Sequence, residues 1–139
     1  MNIWLKVTVT TGGTPGPLLG DGTKTVATVL APSTIGKELS IADQTGNFQS
    51  VINQTAANQK DFAVDGIQVF PLKSNTGNVF IGAKGSVQGD KMLQQPLSIA
   101  GTTVPPKFTG DARKTINLND IEVDAVTSGE GWLCLIDLD

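Results

Sequence analysis

The sequence predicts an all-β fold of sandwich or barrel type, with a predominantly antiparallel β-sandwich and at most one short helical turn as the expectation. Three observations lead there. The opening segment alternates, with Ile3, Leu5, Val7 and Val9 on one face and Trp4, Lys6 and Thr8 on the other, which is the period of a half-buried strand. The 16 glycines and 7 prolines are spread through the chain and divide short runs rich in Thr, Val and Ile. Long helical periodicity is absent. At 139 residues the chain is expected to form a single domain, 1–139.

The elements follow in order. After the first strand, "TTGGTPGPLLGDGT" (10–23) holds five glycines and two prolines and reads as an extended loop. "KTVATVLA" and "GKELSIA" read as the next strands, split by Pro32. "NFQSVINQTAANQK" fits a helical face or a strand; a strand followed by a polar loop is the expectation. "FAVDGIQVFPLK" and "NTGNVFIGAKG" read as two strands joined by the turn Asn75-Thr76-Gly77. Asn75 tolerates turn geometry there and Gly77 is expected to supply a positive φ. Pro71 marks a strand end or an edge, because it cannot donate to a ladder. The stretch from Ser86 to Gly110 is looser, with Pro105-Pro106 fixing an extended loop.

In "KTINLNDIEVDAV" the apolar residues change phase: Ile116 and Leu118 share a face, whereas Ile121, Val123 and Ala125 fall on the opposite parity. Asn119-Asp120 is expected to absorb the change as a bulge or Asx-type turn. "TSGEG" reads as a hairpin loop. "WLCLIDL" is apolar on both parities, as a strand is when it is central or covered on its second face.

Several chemistries are disfavoured. The chain has no histidine, so a Ser-His-Asp or Cys-His arrangement cannot be built. The lone Cys134 lies among apolar neighbours and reads as a small buried hydrophobe rather than a metal ligand or half of a disulfide. "GPLLGDGTKT" lacks the Gly-Lys-Ser/Thr ending of a phosphate loop, because Thr23 separates Gly22 from Lys24. "NLNDIEVD" lacks the spacing of a calcium loop. Two Trp, five Phe and no Tyr supply a sugar-binding or base-stacking cleft poorly. The net charge is only −3, the basic residues are scattered singly, and no apolar run reaches the roughly 18 residues of a membrane span, so neither nucleic acid nor membrane is an expected partner. No catalytic residue, cofactor or metal is expected, and the N-terminus lacks the pattern of a signal peptide. The charge is uneven, however. Residues 1–114 carry ten bases and seven acids, whereas residues 115–139 carry six acids and no base.

Two places suggest contact with other molecules. Leu18 and Leu19 stand between breakers in a loop where polar residues are the norm, so they are expected to meet a partner, unless they plug the end of the sandwich. Trp4, on the polar side of the first strand, is grouped with them. Trp132, Leu133 and Leu135 of the doubly apolar closing strand are expected at a subunit contact.

Finally, "FAVDGIQVFPLKSNTGNVFIG" followed by "TINLNDIEVDAVTSGEGWLCLI" resembles the C-terminal half of small phage virion proteins. In these a strand enters an Asn-x-Gly-type turn, the next ends in Ile/Val-Gly, and an L-x-D-I-x-V-D-A strand pairs with a closing strand after a Gly-Glu/Asp-Gly loop. The matching positions are Asn75, Gly77, Val79, Ile81 and Gly82, then Leu118, Asp120, Ile121, Val123, Asp124, Ala125, Gly129 and Gly131. The longer "GTTVPPKFTGDARK" stands where relatives have a compact Pro-Gly turn. The resemblance implies a jelly-roll β-sandwich, made in the host cytoplasm and placed on the capsid exterior of the virion. There it would act as a homotrimeric cement or decoration protein on the major capsid protein lattice. The alternative function is a head-fibre or tail-associated module that binds host-surface glycans.

Overall fold

The computed structural model describes residues 2–30, 52–53, 63–85, 93–95, 107–109 and 116–137. These form an all-β sandwich. Strands β1 (Asn2–Val9), β3 (Thr25–Val29), β5 (Gly66–Pro71), β8 (Lys107–Thr109) and β11 (Gly131–Asp137) make a five-stranded antiparallel sheet in the order β3-β1-β11-β5-β8. Strands β2 (Gly16–Pro17), β6 (Val79–Ala83), β7 (Leu93–Gln95) and β10 (Ile121–Ala125) make a second antiparallel sheet in the order β2-β10-β6-β7. A two-stranded ladder joins β4 (Ala63–Val64) to β9 (Ile116–Asn117).

The alternation read in the sequence places the core. Leu5 lies in register with Val29 on one side and Cys134 on the other, and Cys134 with Val69, so one apolar row crosses the first sheet. Val79, Ile81, Ile121, Val123 and Ala125 face it from the second sheet, and all join one buried cluster. Trp132 closes the gap between the layers: its ring is fully buried, and its Nε1–H donates to the Phe80 carbonyl of the opposite sheet at 3.1 Å. An indole that fills a core needs such a partner for its N–H. Burial pushes the Cys134 thiol far above its ordinary pKa, which keeps it protonated and unreactive.

Several expectations are met. β11 is the central strand of its sheet, one of the two outcomes expected of a strand apolar on both parities. Pro71 ends β5. The phase change before β10 is absorbed where expected, at Asn119-Asp120, but by a 3-10 turn, Leu118–Asp120, that Asn117 caps by accepting the Asn119 N–H at 3.1 Å.

Others are corrected. Asn75-Thr76-Gly77 and the loop at 126–130 do not close hairpins, because β5 and β11 belong to one sheet and β6 and β10 to the other. Both connections carry the chain across the sandwich, and the pairing of β10 with the closing strand implied by the resemblance is not made. Gly77 does not take a positive φ. Glycine is favoured there by space: a Cβ would lie 3.2 Å from the Thr127 Oγ1 and 3.4 Å from Glu130 Oε1. The loop at 10–23 is not free of regular structure, since Gly16 and Pro17 pair with Val123 and Glu122. Of "NFQSVINQTAANQK", Ile52 and Asn53 form part of a turn, and Ile52 packs against the core; the rest lies outside the described residues, as do "GKELSIA" and Pro105-Pro106.

Side-chain amides complete the backbone pairing in two places. The Asn53 carboxamide accepts from the Ala27 N–H at 2.8 Å and donates to the Ala27 carbonyl at 2.7 Å, as a neighbouring strand would. It thereby covers the outer edge of β3. Asn75 does the same to Gly131, accepting at 3.2 Å and donating at 3.0 Å.

Candidate functional site

The outward side chains of the five-stranded sheet form the candidate site. On a sheet with one wet face, alternate positions should be polar. β1 gives Trp4, Lys6 and Thr8; β11 gives Leu133 and Leu135; β5 gives Gln68 and Phe70. Trp4 stands in register with Leu135, and Leu133 lies between Lys6 and Phe70. Trp4 and Phe70 come from the strands on either side of β11, yet their ring centroids are 6.0 Å apart in a tilted arrangement. The two rings therefore lean toward each other over the leucines of the central strand. Trp4, Phe70, Leu133 and Leu135 are all half-buried, and Lys6 is exposed beside them. Val26, which points outward from β3, is 38% exposed.

The residues predicted to make contacts thus separate into two groups. Trp4, Leu133 and Leu135 come together on this face. Leu18, Leu19 and Trp132 do not; all three have no exposed surface and belong to the core. The ground for expecting Leu18 and Leu19 at a partner contact is lost. The backbone around them is tied down, with the Leu18 N–H donating to the Ile121 carbonyl at 3.0 Å and the Asn53 N–H to the Leu19 carbonyl at 3.0 Å, so both leucines turn inward. Trp132 likewise shares the inward parity of Cys134 and Ile136. Phe70 was missed as a member of the face. Its signal was parity: Ile67 and Val69 point inward, so Phe70 had to point outward with Gln68.

The polar clusters are occupied by the protein itself. In "GDGTKT", Asp21 Oδ1 accepts the N–H groups of Thr23 at 2.8 Å and Lys24 at 2.7 Å, so the amides a phosphate would need are already bonded. Burial works to raise the Asp21 pKa, but these bonds, with Thr25 N–H and the Thr23 hydroxyl, outweigh it and hold the carboxyl below its usual range. Glu130 is buried and grips the Asn75-Thr76-Gly77 turn, accepting the Thr76 N–H, the Gly77 N–H at 3.0 Å and the Thr76 hydroxyl at 3.0 Å. Here too burial is outweighed, and the pKa is lowered by those donors together with the Thr127 hydroxyl. Among the described residues no three His, Cys, Asp or Glu side chains come together in a group that could hold a metal, and no helix is long and apolar enough to cross a membrane. No family model, curated protein or solved structure matches the chain.

Proposed function

We propose that the chain is a non-enzymatic structural protein of a bacteriophage virion. It is a cement or decoration protein of jelly-roll type that binds the major capsid protein lattice on the capsid exterior and assembles with itself as a homotrimer. The observation that carries this reading is the apolar outer face built from Trp4, Phe70, Leu133 and Leu135. Aromatic and aliphatic side chains gathered on a rigid central strand and its two neighbours are the kind of anchor that dominates protein–protein contacts. The strand and turn residues that resemble small phage virion proteins, among them Asn75, Gly77, Val79, Ile81 and Gly82, supply the virion context.

The test is to mix the purified protein with capsids that lack it and to count the copies retained after sedimentation. Copies in proportion to the capsid lattice support the cement reading. A handful confined to one vertex or the tail favours the fibre or glycan-binding module. No retention on any virion part overturns the proposal.

A further inference from the structure

One buried carboxyl has no role in the contacts described so far. Asp124 has no exposed surface, although its strand neighbours Val123 and Ala125 supply the core and it points to the opposite side of the second sheet. Its Oδ1 accepts the Ala125 N–H at 2.7 Å, and the carboxyl also takes a bond from the Gly13 backbone. Among the described residues its Oδ2 is buried with no hydrogen-bond partner. A buried carboxylate oxygen without a donor is expensive, and the cost falls when the group is neutral.

The segment Thr10–Pro15 lies against this residue. The Gly13 N–H donates to the Ala125 carbonyl at 2.8 Å and the Gly12 N–H to the Ser128 hydroxyl at 3.0 Å. The approach is so close that a Cβ at Gly12 would collide with the Val126 carbonyl. The segment itself, Thr-Thr-Gly-Gly-Thr-Pro, has no large apolar side chain to anchor it. It is held there by a few polar bonds over a buried acid.

We propose that Asp124 is a proton-controlled latch for the Thr10–Pro15 segment: with the carboxyl protonated the segment stays seated, and with the carboxylate charged it lifts and lets water reach Oδ2. The proposal is independent of the assembly reading. The electrostatic surroundings favour it. On β10 the only charged residue on the same side is Glu122, which disfavours a second negative charge. β6 offers Phe80 and Gly82 in register, β2 offers Gly16 and Pro17, and β7 carries no charge. The Thr10–Pro15 segment has no charged side chain; the turn after β10 brings Ser128 and Glu130, whose carboxylate is committed to Thr76 and Gly77. Lys24, whose Cβ lies beside Gly16, is exposed to solvent. Among the described residues no buried cation answers Asp124. Burial raises its pKa above the ordinary 3.8, and the bonds from Ala125 and Gly13 only partly oppose this.

The experiment follows the Asp124 carboxyl by NMR across pH in the full chain, together with hydrogen exchange of the Gly12 and Gly13 amides corrected for intrinsic base catalysis. Asp124 is expected to titrate above 3.8. Between the ordinary and the raised value, the opening constant of the segment should rise about tenfold per pH unit, as release of one proton on opening requires. Asp124→Asn should make that constant independent of pH, and Gly12→Ala, which wedges the segment away, should return Asp124 toward its ordinary pKa. A titration at or below 3.8, or an opening constant that does not change with pH in the wild type, overturns the latch, and both readings stand even if the Asn variant fails to fold. An unchanged pH dependence in a folded Asp124→Asn protein also overturns it.

Discussion

Glu130 shows how one side chain settles a local structure. The turn at Asn75-Thr76-Gly77 has no hairpin partner, so its amides need acceptors from elsewhere, and the Glu130 carboxylate supplies them from the far end of the chain. Glu130→Ala should lower stability by about 1.5–3 kcal/mol at neutral pH, the usual worth of hydrogen bonds to a charged group. Chemical unfolding at several pH values checks this. The depressed pKa of Glu130 means that its contribution is fully present above the unfolded pKa and is lost as pH falls through the folded value. The gap between wild type and variant should therefore close on acidification. Asp21 has the same sign. Asp124 has the opposite sign: its raised pKa adds stability that is present at low pH and is lost as pH rises through the folded value.

At the scale of elements, the periodicity of β1, β5 and β11 was legible because each strand packs one full face on the core, so a period of two is imposed on the sequence. The partnering of strands was not. The loops after β5 and β10 carry the turn residues and glycines of hairpin loops, yet both cross between sheets. Turn chemistry fixes how a chain reverses but not which sheet it enters. The sequence left the inward turn of Leu18 and Leu19 open against a partner contact for a related reason, since it depends on pairing of β2 with β10, far along the chain. Leu18→Ala should accordingly cost about 2–5 kcal/mol, as a core truncation does, rather than leave folding intact. Calorimetry or urea unfolding measures it. The β3 edge provides a second test. Asn53 is the non-glycine residue of positive φ among the described residues, at 57°, and its amide covers Ala27. Asn53→Gly keeps that backbone free of strain and removes only the cover. It should speed hydrogen exchange at Ala27 at least tenfold and promote edge-to-edge association, seen by light scattering.

For the whole molecule, the described apolar residues of the five-stranded sheet divide between the buried interior and one outer face. The interior accounts for Trp132, Cys134 and Ile136; Trp4, Phe70, Leu133 and Leu135 are in excess of what one core needs. This excess was half legible: both parities of the closing strand were apolar in the sequence, but which parity served the core depended on the register with β1 and β5. The acidic end of the chain contributes Glu130 and Asp124 to internal contacts, so it is less of an acidic surface than its sequence implies. The most direct test of the account is the double variant Leu133→Asp, Leu135→Asp, examined by far-UV circular dichroism, cooperative unfolding and sedimentation, alone and with capsids. The expected result is a folded β protein that no longer self-associates or binds the lattice. Self-association and capsid binding at wild-type levels by the folded variant would contradict it.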